Sequence, residues 1–396
     1  MKILFLSRWF PYPTNNGSKL RIYNLLRGLA KHHDVTLLSF ADQPDVSPDA
    51  AEIREVCSEV QVVPWHEFNP KSARAWVGFL SLKPRSIIDT FSPEMAGKIT
   101  QLLNIQKYDL IIASQLSMAA YRPYFKNIPA IFEEVEIGLS HGETFQNPDL
   151  KKRIRRAFTW FKLRMYLSRL LRSFQACTVV SEQECQLLLR NFSKNISAIE
   201  VIPNCIQINE HESLQASVNP NQLIFSGSFR YHVNYEAMLW FIREVYPRVL
   251  NQIPDVHLVI TGDHANLQLP SAPNITLTGY VNDINTLIAS SWVSIVPLWS
   301  GGGTRLKVLE AMAAGTPVVS TSKGVEGLNA KPGEHLLVAD SPGTFADQVI
   351  RLLKDKTLHD QLSANGKRFV KDNYSWELVI PRFLGLLDNT VGYGNI

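Results

Sequence analysis

The sequence predicts an α/β protein made of two doubly wound, Rossmann-like domains facing a cleft. Three observations carry that expectation. Short apolar runs alternate with helix-like segments through both halves of the chain. A polar stretch, Asn209 to Asn221, interrupts the alternation near its middle. The length of 396 residues also suits two domains of ordinary size.

In the first half, strands are expected at 3–7, 35–40, 60–64, 110–114, 130–133 and 177–180, with a further one at 199–204. Between the first two strands, Leu20, Ile22, Leu25, Leu26 and Leu29 recur at helical spacing. In the second half, strands are expected at 223–226, 257–261, 275–278, 293–297, 318–320 and 336–338. Helices fit 235–251, 281–289, 304–314 and 344–353. The expected domains are 1–208, with 376–396 returning to it as a C-terminal helix, and 209–375.

The formal net charge of +4 does not call for nucleic acid as a partner. The four cysteines lack metal-ligand spacing and read as inert thiols. No apolar run is long enough to span a bilayer, and the N-terminus enters a strand directly, so a cytoplasmic protein is expected. The stretch 151–172 interleaves Lys and Arg with Phe158, Trp160, Phe161, Met165 and Leu167. Such a basic amphipathic helix can lie on the inner face of a membrane, or can pack in its own domain with a solvated basic face.

The chemistry concentrates in Ser300-Gly301-Gly302-Gly303-Thr304-Arg305-Leu306-Lys307 and the helix that follows, which Gly315-Thr316-Pro317 ends. Glycines let backbone N–H groups approach a phosphate, and a helix N-terminus favours the anion. Arg305 and Lys307 can neutralise a diphosphate, and Glu310 can accept from ribose hydroxyls. Gly227, in Phe225-Ser226-Gly227-Ser228-Phe229-Arg230, suits close approach of a ligand to a strand end. Gly17, behind Pro13-Thr14-Asn15-Asn16, can do the same at the first βα turn or be a plain connection. The Glu133-Glu134-Val135-Glu136 run ends a strand, so a carboxylate there can orient a hydroxyl, with Glu136 the first choice and His141 following it.

The Gly-Gly-Gly-Thr-Arg-Leu-Lys loop, with Glu310 and the Gly-Thr-Pro stop, resembles the donor motif of the retaining glycosyltransferases of family four. These are glycosyl transferases of group 1 with the two-domain GT-B architecture. Val201-Ile202-Pro203-Asn204 is similar to that family's interdomain segment, with Cys205 where a glycine is usual. Two departures stand out. Ser228 and Asn234 occupy positions where the family often has an arginine and a lysine, and Gly302 stands eight residues before Glu310 where a glutamate is common.

The resemblance implies transfer of a sugar from a UDP- or GDP-sugar to a saccharide or lipid-linked acceptor, in polysaccharide or glycoconjugate assembly, without cofactor or metal. Donor contacts would come from Gly17, Gly227, Arg230, Gly301, Gly302, Gly303, Thr304, Arg305, Lys307 and Glu310. Glu136 and His141 would lie on the acceptor side, and Glu136, Arg305 and Lys307 would carry the chemistry. Two other readings share these residues: a sugar-nucleotide epimerase or hydrolase of the same architecture, and a nucleotide-binding scaffold with degenerate sites.

Overall fold

The structure is a computed structural model that describes residues 1–43, 46–138, 150–212, 216–302 and 304–392. It contains two compact units, Met1–Pro203 with Val379–Ile396, and Asn204–Leu378. The division falls ahead of the polar stretch expected to be a linker. Ile208–Glu212 is helical, and Asn219 already opens a strand. That stretch is polar because the start of the strand is exposed.

The strands are β1 (Lys2–Ser7), β2 (Asp34–Ala41), β3 (Glu59–Pro64), β4 (Leu110–Ser114), β5 (Ala130–Glu133), β6 (Ala176–Val179) and β7 (Ile199–Val201), then β8 (Asn219–Ser226), β9 (His257–Thr261), β10 (Ile275–Gly279), β11 (Ser291–Val296), β12 (Val318–Ser320) and β13 (Leu337–Val338). Seven of the helices bear on the sites: α1 (Gly17–Ala30), α2 (Leu150–Leu171), α3 (Glu182–Phe192), α4 (His232–Trp240), α5 (Leu306–Ala314), α6 (Lys356–Asn373) and α7 (Trp376–Gly392).

The first unit is a seven-stranded sheet in the order β3-β2-β1-β4-β5-β6-β7, parallel at every pairing. β4 and β5 are buried along their whole length, which is why they read as continuous apolar runs instead of alternating ones. Asn16 caps α1 by accepting from the Lys19 amide at 2.9 Å. α7 returns to this unit against α1, where a Cβ on Gly28 would lie 2.4 Å from Ile380 Cδ1. Arg382 Nη2 on α7 also reaches Glu200 Oε1 at 2.6 Å and the Val201 carbonyl at 2.9 Å.

The second unit is a six-stranded parallel sheet in the order β10-β9-β8-β11-β12-β13. The helix expected at 235–251 is interrupted. α4 passes through a π-helical turn, Phe241–Val245, before continuing as Tyr246–Gln252. Pro247 has no N–H to donate to the preceding turn, so the helix widens there. α6 escapes sequence reading because its buried face is His359, Leu362, Gly366, Phe369 and Val370, only three of which are strongly apolar. Gly366 lets it pack against α5, with Met312 Cγ 3.2 Å from where a Cβ would stand.

Candidate functional site

In the second unit the strand order reverses between β8 and β11, and loops leaving the carboxyl ends of such strands diverge to open a crevice. β8 ends at Ser226, and Gly227 follows it with a φ of +154° that favours glycine. A Cβ here would stand 2.7 Å from Asn234 Nδ2 and 2.9 Å from Lys307 Nζ. The missing side chain is therefore what admits both groups to the strand end. Asn234, on α4, donates to the Ser228 carbonyl at 2.8 Å and accepts from Lys307 Nζ at 2.9 Å. The same ammonium lies 4.3 Å from the Phe225 ring centroid. Gly262, with φ +113°, follows β9 so closely that a Cβ would lie 2.7 Å from the Gly227 carbonyl carbon. Two glycines thus let two strand ends meet backbone to backbone.

Lys307 has no carboxylate within ion-pair distance among the described residues. Burial drives its ammonium down to about 7, opposed by Glu310 and helped by the charge of Arg305. Burial likewise raises the Glu310 carboxyl, against the pull of Lys307. These two side chains, three positions apart on α5, share a helix face and remain partly open to solvent. A phosphate placed beside Lys307 would restore its full charge.

Arg305 has a different role. Nη2 donates to the Gly301 carbonyl at 2.9 Å and Nη1 to the Gly302 carbonyl at 3.1 Å, with Glu326 Oε2 3.9 Å from Nη2. Its guanidinium is buried and fastens the glycine loop onto the start of α5, which begins at Leu306 instead of Thr304. Gly301 has φ +94°, and a Cβ there would strike Tyr231 Oη at 2.4 Å. Thr304 Oγ1 is buried and has no hydrogen-bond partner among the described residues. Gly303 lies outside the described residues. Arg230 is exposed and pairs with Asp263, so it is already matched to a carboxylate at the surface.

The first unit also reverses its strand order, between β1 and β4. Gly17 opens α1 behind its Asn16 cap. The residues directly after β4 and β5, Gln115 (φ 68°) and Glu134 (φ 58°), are both left-handed. Each such conformation costs about 1–3 kcal/mol for a residue with a side chain, and such strain clusters at working sites. The two side chains meet, Gln115 Nε2 donating to Glu134 Oε2 at 2.8 Å. The Glu134 amide donates to Thr178 Oγ1 at 2.9 Å. Burial first, then the Glu133 charge, lifts the Glu134 carboxyl to about 7 against the pull of Arg21 and the Gln115 hydrogen bond.

Of the three carboxylates at this strand end, Glu136 is exposed. Glu133 is fully buried, taking Arg21 Nε at 2.7 Å and Ser114 Oγ at 2.6 Å. Glu134, which sequence reasoning passed over, is the one held strained and protonatable. Only its position at a strand's carboxyl end could have signalled it. His141 lies outside the described residues.

The two doubly wound units, each with a strand-order reversal, have the GT-B architecture. The profile of "Glycosyltransferase Family 4" matches residues 15–210, and that of "Glycosyl transferases group 1" matches 220–355. Between them they take in most of the chain, which belongs to the GT-B glycosyltransferases. Over 385 residues it is 22% identical to an uncharacterized 44.6 kDa protein in the cps region of Klebsiella pneumoniae, covering 94% of this chain and 96% of that one. It is 29% identical to the phosphatidyl-myo-inositol mannosyltransferase of Mycobacterium leprae over 38% of this chain and 43% of that protein. Anabaena HepE, solved in complex with UDP and glucose, superposes with a TM-score of 0.65 at 14% identity, over 98% of this chain and 100% of that one.

Proposed function

We propose that this enzyme moves a sugar, with retention of anomeric configuration, from a UDP- or GDP-sugar to a saccharide or lipid-linked saccharide in polysaccharide or glycoconjugate assembly. One observation carries the reading: among the described residues Lys307 has no carboxylate within ion-pair distance at the β8/β11 reversal, beside the glycine loop and over the space that Gly227 leaves. Solved HepE with UDP, and a relative named as a phosphatidyl-myo-inositol mannosyltransferase, support the nucleotide-sugar donor and a lipid-borne acceptor.

The second unit binds the donor. Lys307 and the amides at the start of α5 take up the negative charge that grows on the departing diphosphate, in place of a metal. Arg305 is a positioning residue that shapes the loop, and Glu310 accepts from the ribose. Gly301, Gly302, Gly303 and Thr304 supply backbone or hydroxyl contacts. The first unit binds the acceptor, where Glu134 and Gln115, in preference to Glu136, orient the attacking hydroxyl. That hydroxyl attacks on the face the diphosphate leaves, and a departing phosphate oxygen takes its proton.

A thermal-shift panel of UDP, GDP, ADP and their sugars, on wild type and Glu310→Ala, tests the donor assignment. Saturation to about a hundred times the dissociation constant stabilises a protein by about 2.7 kcal/mol. A shift selective for one diphosphate and reduced in Glu310→Ala is the expected result. A cooperative melt that no nucleotide moves would overturn the reading.

A further inference from the structure

α2 carries apolar residues on two opposite faces. Trp160, Leu167, Leu170 and Leu171 are buried in the first unit's core. Ile154, Phe158, Phe161 and Met165 recur at intervals of four, three and four, so they form a second stripe about half a turn away from the first. That stripe is exposed: 63% at Ile154 and 57% at both Phe158 and Phe161.

Beside it lies the segment after β3, where Trp76, Val77, Phe79, Leu80 and Leu82 are also exposed, Leu80 by 95%. Lys162 ties the two together by donating to the carbonyls of Phe79 at 2.7 Å and Gly78 at 3.2 Å. The Arg85 guanidinium packs 3.9 Å from the Phe79 ring centroid. A cavity of ≈ 460 Å³ opens between the two elements, lined by Leu82, Lys83, Met165, Tyr166 and Arg169.

A soluble monomer rarely leaves this much large apolar side chain in one place. The charge around it identifies the occupant. Residues 150–175 hold nine Lys or Arg and no Asp or Glu, and residues 68–88 hold four and none. With a chain net charge of +4, the remaining residues carry a net −9. Positive charge is therefore concentrated where apolar side chains are exposed, the combination that an anionic lipid surface binds by insertion and attraction together. Lys83 and Arg169, at the cavity, form no ion pair among the described residues. Lys151, Lys152, Arg153 and Arg155 contribute to this count from the sequence, their side chains lying outside the described residues.

We infer that the Ile154–Met165 stripe of α2 and the Trp76–Leu82 segment together form the surface by which the enzyme docks on an anionic membrane, with Leu80 at the point of deepest insertion. The inference deepens the lipid-linked acceptor reading but rests on surface chemistry separate from the donor site. The helix alone was the sequence expectation; the structure adds the second segment and the exposed stripe.

Co-sedimentation of the full chain with vesicles tests it, using phosphatidylcholine alone and phosphatidylcholine with about one third phosphatidylglycerol. Wild type should pellet only with the anionic vesicles, and less at high salt. Leu80→Glu combined with Phe161→Glu should reduce that binding at least tenfold, and Lys83→Glu with Arg169→Glu should reduce it similarly. All four positions are accessible, so the melting temperature should stay near wild type. Equal binding by either folded double variant would overturn the inference. So would a concentration-dependent doubling of mass that Leu80→Glu abolishes without any vesicle binding, because the surface would then receive a second copy of the chain. The nucleotide panel reads the donor site independently, so failure of one proposal leaves the other standing.

Discussion

Each unit brings a cation against its sheet, and the two are treated in opposite ways. In the first unit, Arg21 on α1 meets Glu133 at 2.7 Å and the Ile202 carbonyl at 2.8 Å, and Ser114 completes the carboxylate. In the second, Lys307 has an amide oxygen, an aromatic face and, among the described residues, no carboxylate within ion-pair distance, Glu310 acting on it only through longer-range attraction. A desolvated cation with a matched carboxylate is finished; one with no carboxylate at ion-pair distance can take up an anion. The difference separates a group that holds the fold from the group proposed to hold the diphosphate.

Breaking the finished pair should have the largest effect. Arg21→Ala or Glu133→Ala leaves one charge buried without its partner, which typically costs about 3–5 kcal/mol. Urea unfolding would read this as a lower midpoint at constant slope. A loss below about 1 kcal/mol would mean that the pair is not the structural element described above.

Lys307→Met should act with the opposite sign on the empty protein. The ordinary lysine value of 10.5 falls to about 7 in the fold, so between those values the unfolded chain binds more protons. Stability from this group therefore rises with pH across that window, and the charged form is penalised below it. Removing the amine should raise the melting temperature of the empty protein at neutral pH, and flatten its pH dependence above 7. Affinity for the nucleoside diphosphate should drop by about 100-fold, or roughly 2.7 kcal/mol. Lowered stability combined with unchanged affinity would return Lys307 to the structural class of Arg21.

Much of this was legible in the sequence. The strands of both sheets follow from their apolar runs, and the glycine loop and its Gly-Thr-Pro stop stand out by composition alone. What was not legible depends on distant partners. Lys307 reaches Asn234 across 73 positions of sequence, so Asn234, which reads as a lost cation, is instead the residue that holds a cation supplied by another helix. Arg305 reads as a phosphate ligand, yet its guanidinium is engaged by the carbonyls of its own loop. Glu134 and Glu136 look equivalent until the left-handed turn after β5 half-buries one and exposes the other.

Glu134 sharpens the comparison from the other side, because it is a carboxyl without a full ionic partner. Its value of about 7 lies above the ordinary 4.5, so between these the folded state keeps a proton the unfolded state has lost. Its contribution to stability is lost as pH rises through that window. Glu134→Gln should therefore stabilise the protein at pH 8 by on the order of 1 kcal/mol and change little at pH 4. The acceptor KM should rise while donor affinity holds. A rise in donor dissociation constant instead would take Glu134 away from the acceptor.

The smallest effect is the most diagnostic. If Lys307 is about half protonated near pH 7 and a diphosphate restores its charge, binding must draw a proton from the buffer. Uptake should grow between pH 7 and 8 as the empty site loses its proton, reaching a sizeable fraction of one proton per nucleotide. Calorimetry in buffers of different ionisation enthalpy measures that number directly, and Lys307→Met should abolish it. Uptake that survives in Lys307→Met would mean the waiting cation lies elsewhere. With uptake confined to Lys307, the same measurement on Glu310→Ala separates the two partners on α5. Losing the carboxylate lowers the amine further, so uptake should begin at lower pH while the proposed ribose contact is lost.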